Sequence, residues 1–254
     1  MPRSYFSGVV LPERAPISIS NVQSQIVDNS GKPYASITLN VWLNQITAAV
    51  ESDETSIHAL RNFVKREAEC VTDLAGFLLG FGYDTEITKT FSQDLSATHV
   101  FGIDVPVLTQ RAQGRDLTTL VNAIFPLCFG VEAIYLRRCL TDLSFSLKRL
   151  DDTAFYCFRA LESLRQSFGP ELPEVEQWRA MSAAVRSTKD EIEPLRRHAL
   201  PARHGLPPPL SDTERQQLFL FTWEIVERYI DFRLIGSGSA PVFAAAAAPG
   251  SAPP

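Results

Sequence analysis

The clearest pattern in the chain runs from Ser36 to Asn44, where Ile37, Leu39, Val41 and Leu43 alternate with Ser36, Thr38, Asn40 and Asn44. A period of two predicts a strand with one face in a core and one in water. Trp42 falls on the polar face, where it either packs on another element or forms part of a binding surface; packing is the expectation. Tyr5–Val10 and Ile17–Ser20 are shorter candidate strands separated by Pro12 and Pro16, and Asp28 to Pro33 is a turn cluster. From Ile57 to Leu79 the period lengthens. Ile57, Leu60, Val64, Ala68, Val71, Ala75 and Leu78 step by three or four, which draws one apolar stripe along a helix. Asp53, Glu54 and Thr55 suit its start, and Gly80 and Gly82 its end. Ile87–Phe91 and His99–Leu108 read as further strands, the second interrupted by Pro106.

Thr109 to Asp116 is polar and without period, and is read as a linker. Beyond it every pattern is helical: Leu117–Ile124, Val131–Leu150, Asp152–Phe168, Glu174–Leu195 and Ser211–Leu234. Ser211-Asp212-Thr213-Glu214 opens the last of these as a capping box. From Gly236 the Gly, Ser, Ala and Pro run cannot bury a core and is expected to be disordered. The fold class is therefore α+β. Residues 1–108 form a β-rich module with one long helix and 109–116 a linker; 117–235 form an all-α helical bundle and 236–254 a tail.

Composition narrows the function classes. With 254 residues, 45% hydrophobic and 21% charged, the chain resembles an ordinary globular protein, and its net charge of −5 argues against coating nucleic acid over a broad surface. The four cysteines (Cys70, Cys128, Cys139, Cys157) form no C-x-x-C pair, so buried free thiols in a reducing compartment are expected. No secretory leader is evident at the N-terminus. Leu117–Leu136 is the least charged window, but Pro126, Gly130 and Glu132 interrupt it, so it reads as core and not as a membrane span. A cytoplasmic protein is expected. His99 lies in a predicted strand with no acidic or cysteine neighbour in sequence and reads as structural. Asp151-Asp152 and Asp190-Glu191-x-Glu193 read as helix-end or solvated carboxylates.

Phosphate-binding loops, dinucleotide fingerprints, H-E-x-x-H and G-x-S-x-G are all absent. Chemistry concentrates instead in Leu195-Arg196-Arg197-His198-Ala199-Leu200-Pro201-Ala202-Arg203-His204-Gly205, which holds two of the four histidines and three arginines. An arginine offers a permanent fork of donors to phosphate, and a histidine can move a proton near neutral pH. Together they could break an RNA phosphodiester without a metal: the imidazole works on the 2′-OH or the leaving oxygen, and the guanidinium holds the developing charge. The same groups could also do no more than end a helix and satisfy loop carbonyls.

Arg197, followed by polar His198 and then by His204, resembles the R-x(4–6)-H motif of HEPN domains. The flanking helices and the aromatic helix containing Phe158-Arg159-Ala160-Leu161-Glu162 resemble that fold over roughly residues 131–234. The resemblance implies a bundle that pairs with itself as a homodimer and cleaves RNA in a shared cleft, as many members of defence and toxin systems do. Arg197 would then bind phosphate, His204 would be the catalytic base or acid, and His198 would take an orienting role. No metal or organic cofactor is implied. The alternative is a non-catalytic adaptor, with a dimerising bundle and an N-terminal module that binds a ligand or partner.

Overall fold

The computed structural model describes residues 2–27, 33–93, 97–102, 105–130 and 132–243. Two compact units, residues 1–103 and 104–254, each follow their own hydrophobic period.

In the first unit the alternating segments become β1 (Arg3–Leu11), β2 (Ile17–Val27), β3 (Pro33–Leu43), β4 (Gln45–Ser52), β5 (Asp84–Ser92) and β6 (Thr98–Val100), with α1 (Ile57–Leu79) between β4 and β5. All pairs are antiparallel in the order β2-β3-β4-β1-β5-β6. Phe6, Val10, Ile37, Leu39, Val41, Ile46, Ala48, Val50 and Ile87 form a core with Leu60, Val64 and Ala68 of α1. Ser56 caps α1 by accepting from the Ala59 N–H, and left-handed Gly80 closes it. Gly8 sits where β1 shifts register against β5, and a Cβ there would stand 2.2 Å from the Glu86 carbonyl oxygen. A side chain at that position would push the two strands apart.

One strand is unanticipated and two expectations change. β4 carries no strong sequence signal, because Ala48 and Ala49 dilute its alternation. Among the described residues of the segment His99–Leu108 only His99 and Val100 are strand, as the end of β6; Pro106 instead opens helix α2 (Pro106–Arg111), at a first-turn position where its missing N–H costs nothing. Trp42, expected to pack, is 67% exposed. Residues 28–32 of the turn cluster lie outside the described residues. On the outer edge, β2 shifts register between Ile19 and Val22, where Asn21 takes φ 58° and its N–H donates to Asn40 Oδ1 at 2.8 Å.

The second unit continues with α3 (Leu117–Ile124), a 3-10 turn (Phe125–Cys128), α4 (Ala133–Lys148), α5 (Thr153–Gln166), α6 (Glu174–Val185), α7 (Lys189–Arg203) and α8 (Asp212–Gly236). α5 is the hub and packs on α4, α7 and α8. Its Ala154, Cys157, Phe158, Ala160, Leu161 and Leu164 meet Leu136, Leu143, Leu195, Phe219, Ile225 and Tyr229 in one core. Cys139 and Cys157 are buried there, and burial pushes the Cys157 thiol up to about 11. Cys70, by contrast, is exposed. Among the described residues no helix is long and apolar enough to cross a membrane.

Buried carboxylates fasten the periphery. Glu227 of α8 accepts from Arg111 Nε at 3.2 Å and lies 2.9 Å from Arg115 Nη1, so the polar segment 109–116 is tied to the bundle. Asp231 accepts the backbone N–H groups of Val242 and Phe243 at 2.7 and 3.0 Å, and both side chains pack on the core. Part of the stretch expected to be disordered is thus ordered as far as Phe243; residues 244–254 lie outside the described residues.

Replacing Glu227 by Ala leaves two guanidinium groups without their acceptor. The expected result is a loss of about 2 kcal/mol in urea unfolding of this unit, with faster amide exchange over residues 105–116 in the folded protein. Unchanged protection there would show that the ion pairs do not hold α2.

Candidate functional site

The helical pattern read as Glu174–Leu195 is two helices. α6 ends at left-handed Arg186 (φ 52°), and a capping box of Thr188 and Glu191 starts α7. The Thr188 N–H donates to Glu191 Oε2 at 2.7 Å, and the Glu191 N–H returns a bond to Thr188 Oγ1 at 3.3 Å. Glu191 is therefore a cap, in keeping with its reading as a helix-end carboxylate.

α7 runs on through Arg203, so Arg197 lies inside a helix and not in an irregular connection as the sequence pattern implied. Pro194 and Pro201 both sit within it. Each interior proline removes a backbone donor, and Pro201 leaves the Arg197 carbonyl without its helical partner. What keeps the helix intact is its inner line: Ile192, Leu195 and Ala199 are all buried, so core packing continues past both prolines. The helix ends at His204, followed by Gly205 at φ 78°.

This geometry sorts the basic residues onto three faces. At about 100° per residue, Arg197 and His204 lie within about 20° of one another and diametrically opposite the buried line, separated by roughly 10 Å along the axis. Both are exposed, and neither side chain makes a hydrogen bond or ion pair among the described residues. In particular His204 gives no bond to a loop carbonyl. Arg196 and Arg203 share a second face, turned toward acidic neighbours. Arg196 lies 3.6 Å from Glu193, and Arg203 acts on Glu162 of α5. His198 occupies a third face, where its charge acts on Glu214 at the start of α8. The three residues that the sequence singled out are thus not brought together: Arg197 and His204 share a line, and His198 turns away from it.

Burial pushes the Glu162 carboxyl above the usual range, against the opposing pull of Arg165 and Arg203. Glu174 is held below its ordinary value, first by the Trp178 indole N–H at 3.2 Å and then by Arg165. Glu214 is likewise held down by the hydroxyl and N–H of Ser211. The acidic flank of α7 was not legible beforehand, because Glu162 and Arg203 are far apart in sequence and no spacing rule joins them. Among the described residues no group of three or more His, Cys, Asp or Glu could hold a metal ion. What the outward line of α7 offers is an unpartnered guanidinium and an unpartnered imidazole, suited to an anionic ligand that can touch both.

Residues 4–101 match the family model described as the N-terminal domain of DUF8168, a domain of unknown function, and residues 121–234 match the C-terminal domain of the same family. No curated protein and no solved structure matches the chain.

Because the folded-state pKa of Glu162 is raised, its ionised form is penalised in the fold. Stability should therefore rise as pH falls from neutrality through that raised value toward 4.5, the ordinary value. Glu162→Gln should raise the melting temperature at neutral pH and remove this gain. Thermal melts across the pH range check it, and an unchanged slope would overturn the assignment.

Proposed function

From a chain that matches both domain models of one family of unknown function, in order, we propose a metal-independent endoribonuclease of HEPN type that acts as a homodimer. The observation that carries the reading is the pairing of Arg197 with His204 on the outward line of α7, both exposed and both without a partner among the described residues. A surface line is not a cleft. If the two groups are catalytic, another surface must close over them, and a second copy of the same helix supplies it with the same chemistry.

In that arrangement one imidazole removes the proton of a ribose 2′-OH. The 2′-oxygen attacks phosphorus, the P–O5′ bond breaks, and the second copy's imidazole, in its protonated form, returns a proton to the departing oxygen. The products are a 2′,3′-cyclic phosphate and a 5′-OH, so water and metal are not consumed. The guanidinium of Arg197 compensates the charge gathered on the non-bridging oxygens. His198, on a different face, acts only by packing and charge beside Glu214.

An adaptor is the second reading, favoured by a specific feature of α3. Residues 117–130 contain no charged side chain, and Leu117, Val121, Phe125 and Phe129 form an exposed line at intervals of four. An uncharged apolar line of this kind suits protein contact.

Incubating the purified protein with mixed RNA in EDTA decides between them. The ribonuclease reading expects cyclic-phosphate ends, a rate that falls about 10²-fold or more in both Arg197→Ala and His204→Ala, and little change in His198→Ala. Activity surviving both substitutions overturns it. Absence of cleavage together with a particle mass above that of one chain favours the adaptor.

A further inference from the structure

The other two histidines, His58 and His99, meet in the first unit. His58 lies in the first turn of α1, fixed by the Ser56 cap, and His99 lies in β6 opposite Thr90 of β5. Their ring centres are 5.4 Å apart with planes at 84°. Phe101, buried and stacked on Phe6, lies under both, with ring centres 5.8 Å from His58 and 4.9 Å from His99. The Phe101 N–H donates to the Thr88 carbonyl at 2.9 Å, which fixes this floor to β5. Neither imidazole makes a hydrogen bond or ion pair among the described residues, so their ring nitrogens are free to bind.

We propose that His58 and His99 form a two-imidazole site for a divalent transition-metal ion of the copper, nickel and zinc group. The separation of the rings is the main ground. An imidazole nitrogen binds such an ion at about 2.0–2.1 Å and its ring centre lies about 1 Å further out, so two imidazoles at a tetrahedral angle have centres about 5 Å apart. The observed ring-centre separation of 5.4 Å is close to that value. Donor type sets the metal class. Two neutral nitrogens and no carboxylate disfavour magnesium and calcium, which require oxygen ligands, and rank copper(II) above nickel and zinc.

No third His, Cys, Asp or Glu completes the shell among the described residues. Water or a donor from another molecule takes the remaining positions, so the ion is held exchangeably. Arg61 is a nearby cation, with its guanidinium 5.2 Å from the Phe101 ring centre. Its Nε donates to the Ile87 carbonyl at 3.3 Å, and its charge faces Glu86 and Glu69. That placement weakens the site without occupying it. The inference does not depend on the ribonuclease reading, since the two concern different units and different histidines.

Titration of the full chain with copper(II), nickel(II) or zinc(II), followed by calorimetry and by nitrogen hyperfine structure in the copper(II) spectrum, tests the site. The expected result is one ion per chain, bound at least about tenfold more weakly in each of His58→Ala and His99→Ala, with magnesium inert. A His198→Ala/His204→Ala double variant should bind as the parent does. Circular dichroism shows whether each variant is folded, and His99→Gln provides a milder substitution if His99→Ala is not. Binding retained in folded His58 and His99 variants, binding lost in the His198/His204 variant, or no uptake by the parent would each overturn the proposal.

Discussion

The helical unit depends on the burial of Ile192, Leu195 and Ala199 along a single line of α7. An interior proline costs a helix about 3 kcal/mol, and α7 contains two. Each fully buried aliphatic side chain returns about 1.5–3 kcal/mol. The inner line therefore decides whether a helix exists at all between residues 189 and 203. Because the helix exists, its opposite line is determined as well: Arg197 and His204 face water because Leu195 and Ala199 do not. The chemistry available on this surface is a by-product of packing on the other side.

The sheet unit obeys the same one-sided logic with a period of two. Ala35, Ile37, Leu39 and Val41 of β3 and the even-numbered positions of β4 pack under α1, while Ser36, Thr38, Asn40 and Trp42, with Gln45, Thr47 and Glu51 beside them, face outward; Leu43, which the alternation placed on the core face, is exposed at the strand's end. The outer face is polar but carries few charges. Trp42 stands on it largely uncovered.

Fold class was legible because both units state their period plainly. The Ile37–Leu43 alternation and the Ile57–Leu79 stripe fall within β3 and on α1, and the Ser211 box caps α8 as its residue types require. The failures have separate physical causes. Alanines hid β4. Pro106 was read as an interruption when it is an initiator, and the break at Arg186 was invisible because a non-glycine residue takes the left-handed conformation there. Of the site, residue types were legible and directions were not. Arg197 and His204 could be placed on a common line only once the helix between them was known to be continuous. His58 and His99, separated by most of α1 and β5, give no local sign that they meet.

β2 is eleven residues long and lies at the margin of the sheet, so one side of its backbone has no neighbouring strand among the described residues. A long free margin of this sort invites a foreign chain to zip onto it and seed fibrils. The irregularity at Asn21, which turns the backbone through φ 58° and hands its N–H to Asn40, breaks the margin into two short runs. Neither run offers a template long enough for unlimited stacking, so the irregularity at a single asparagine shields this margin.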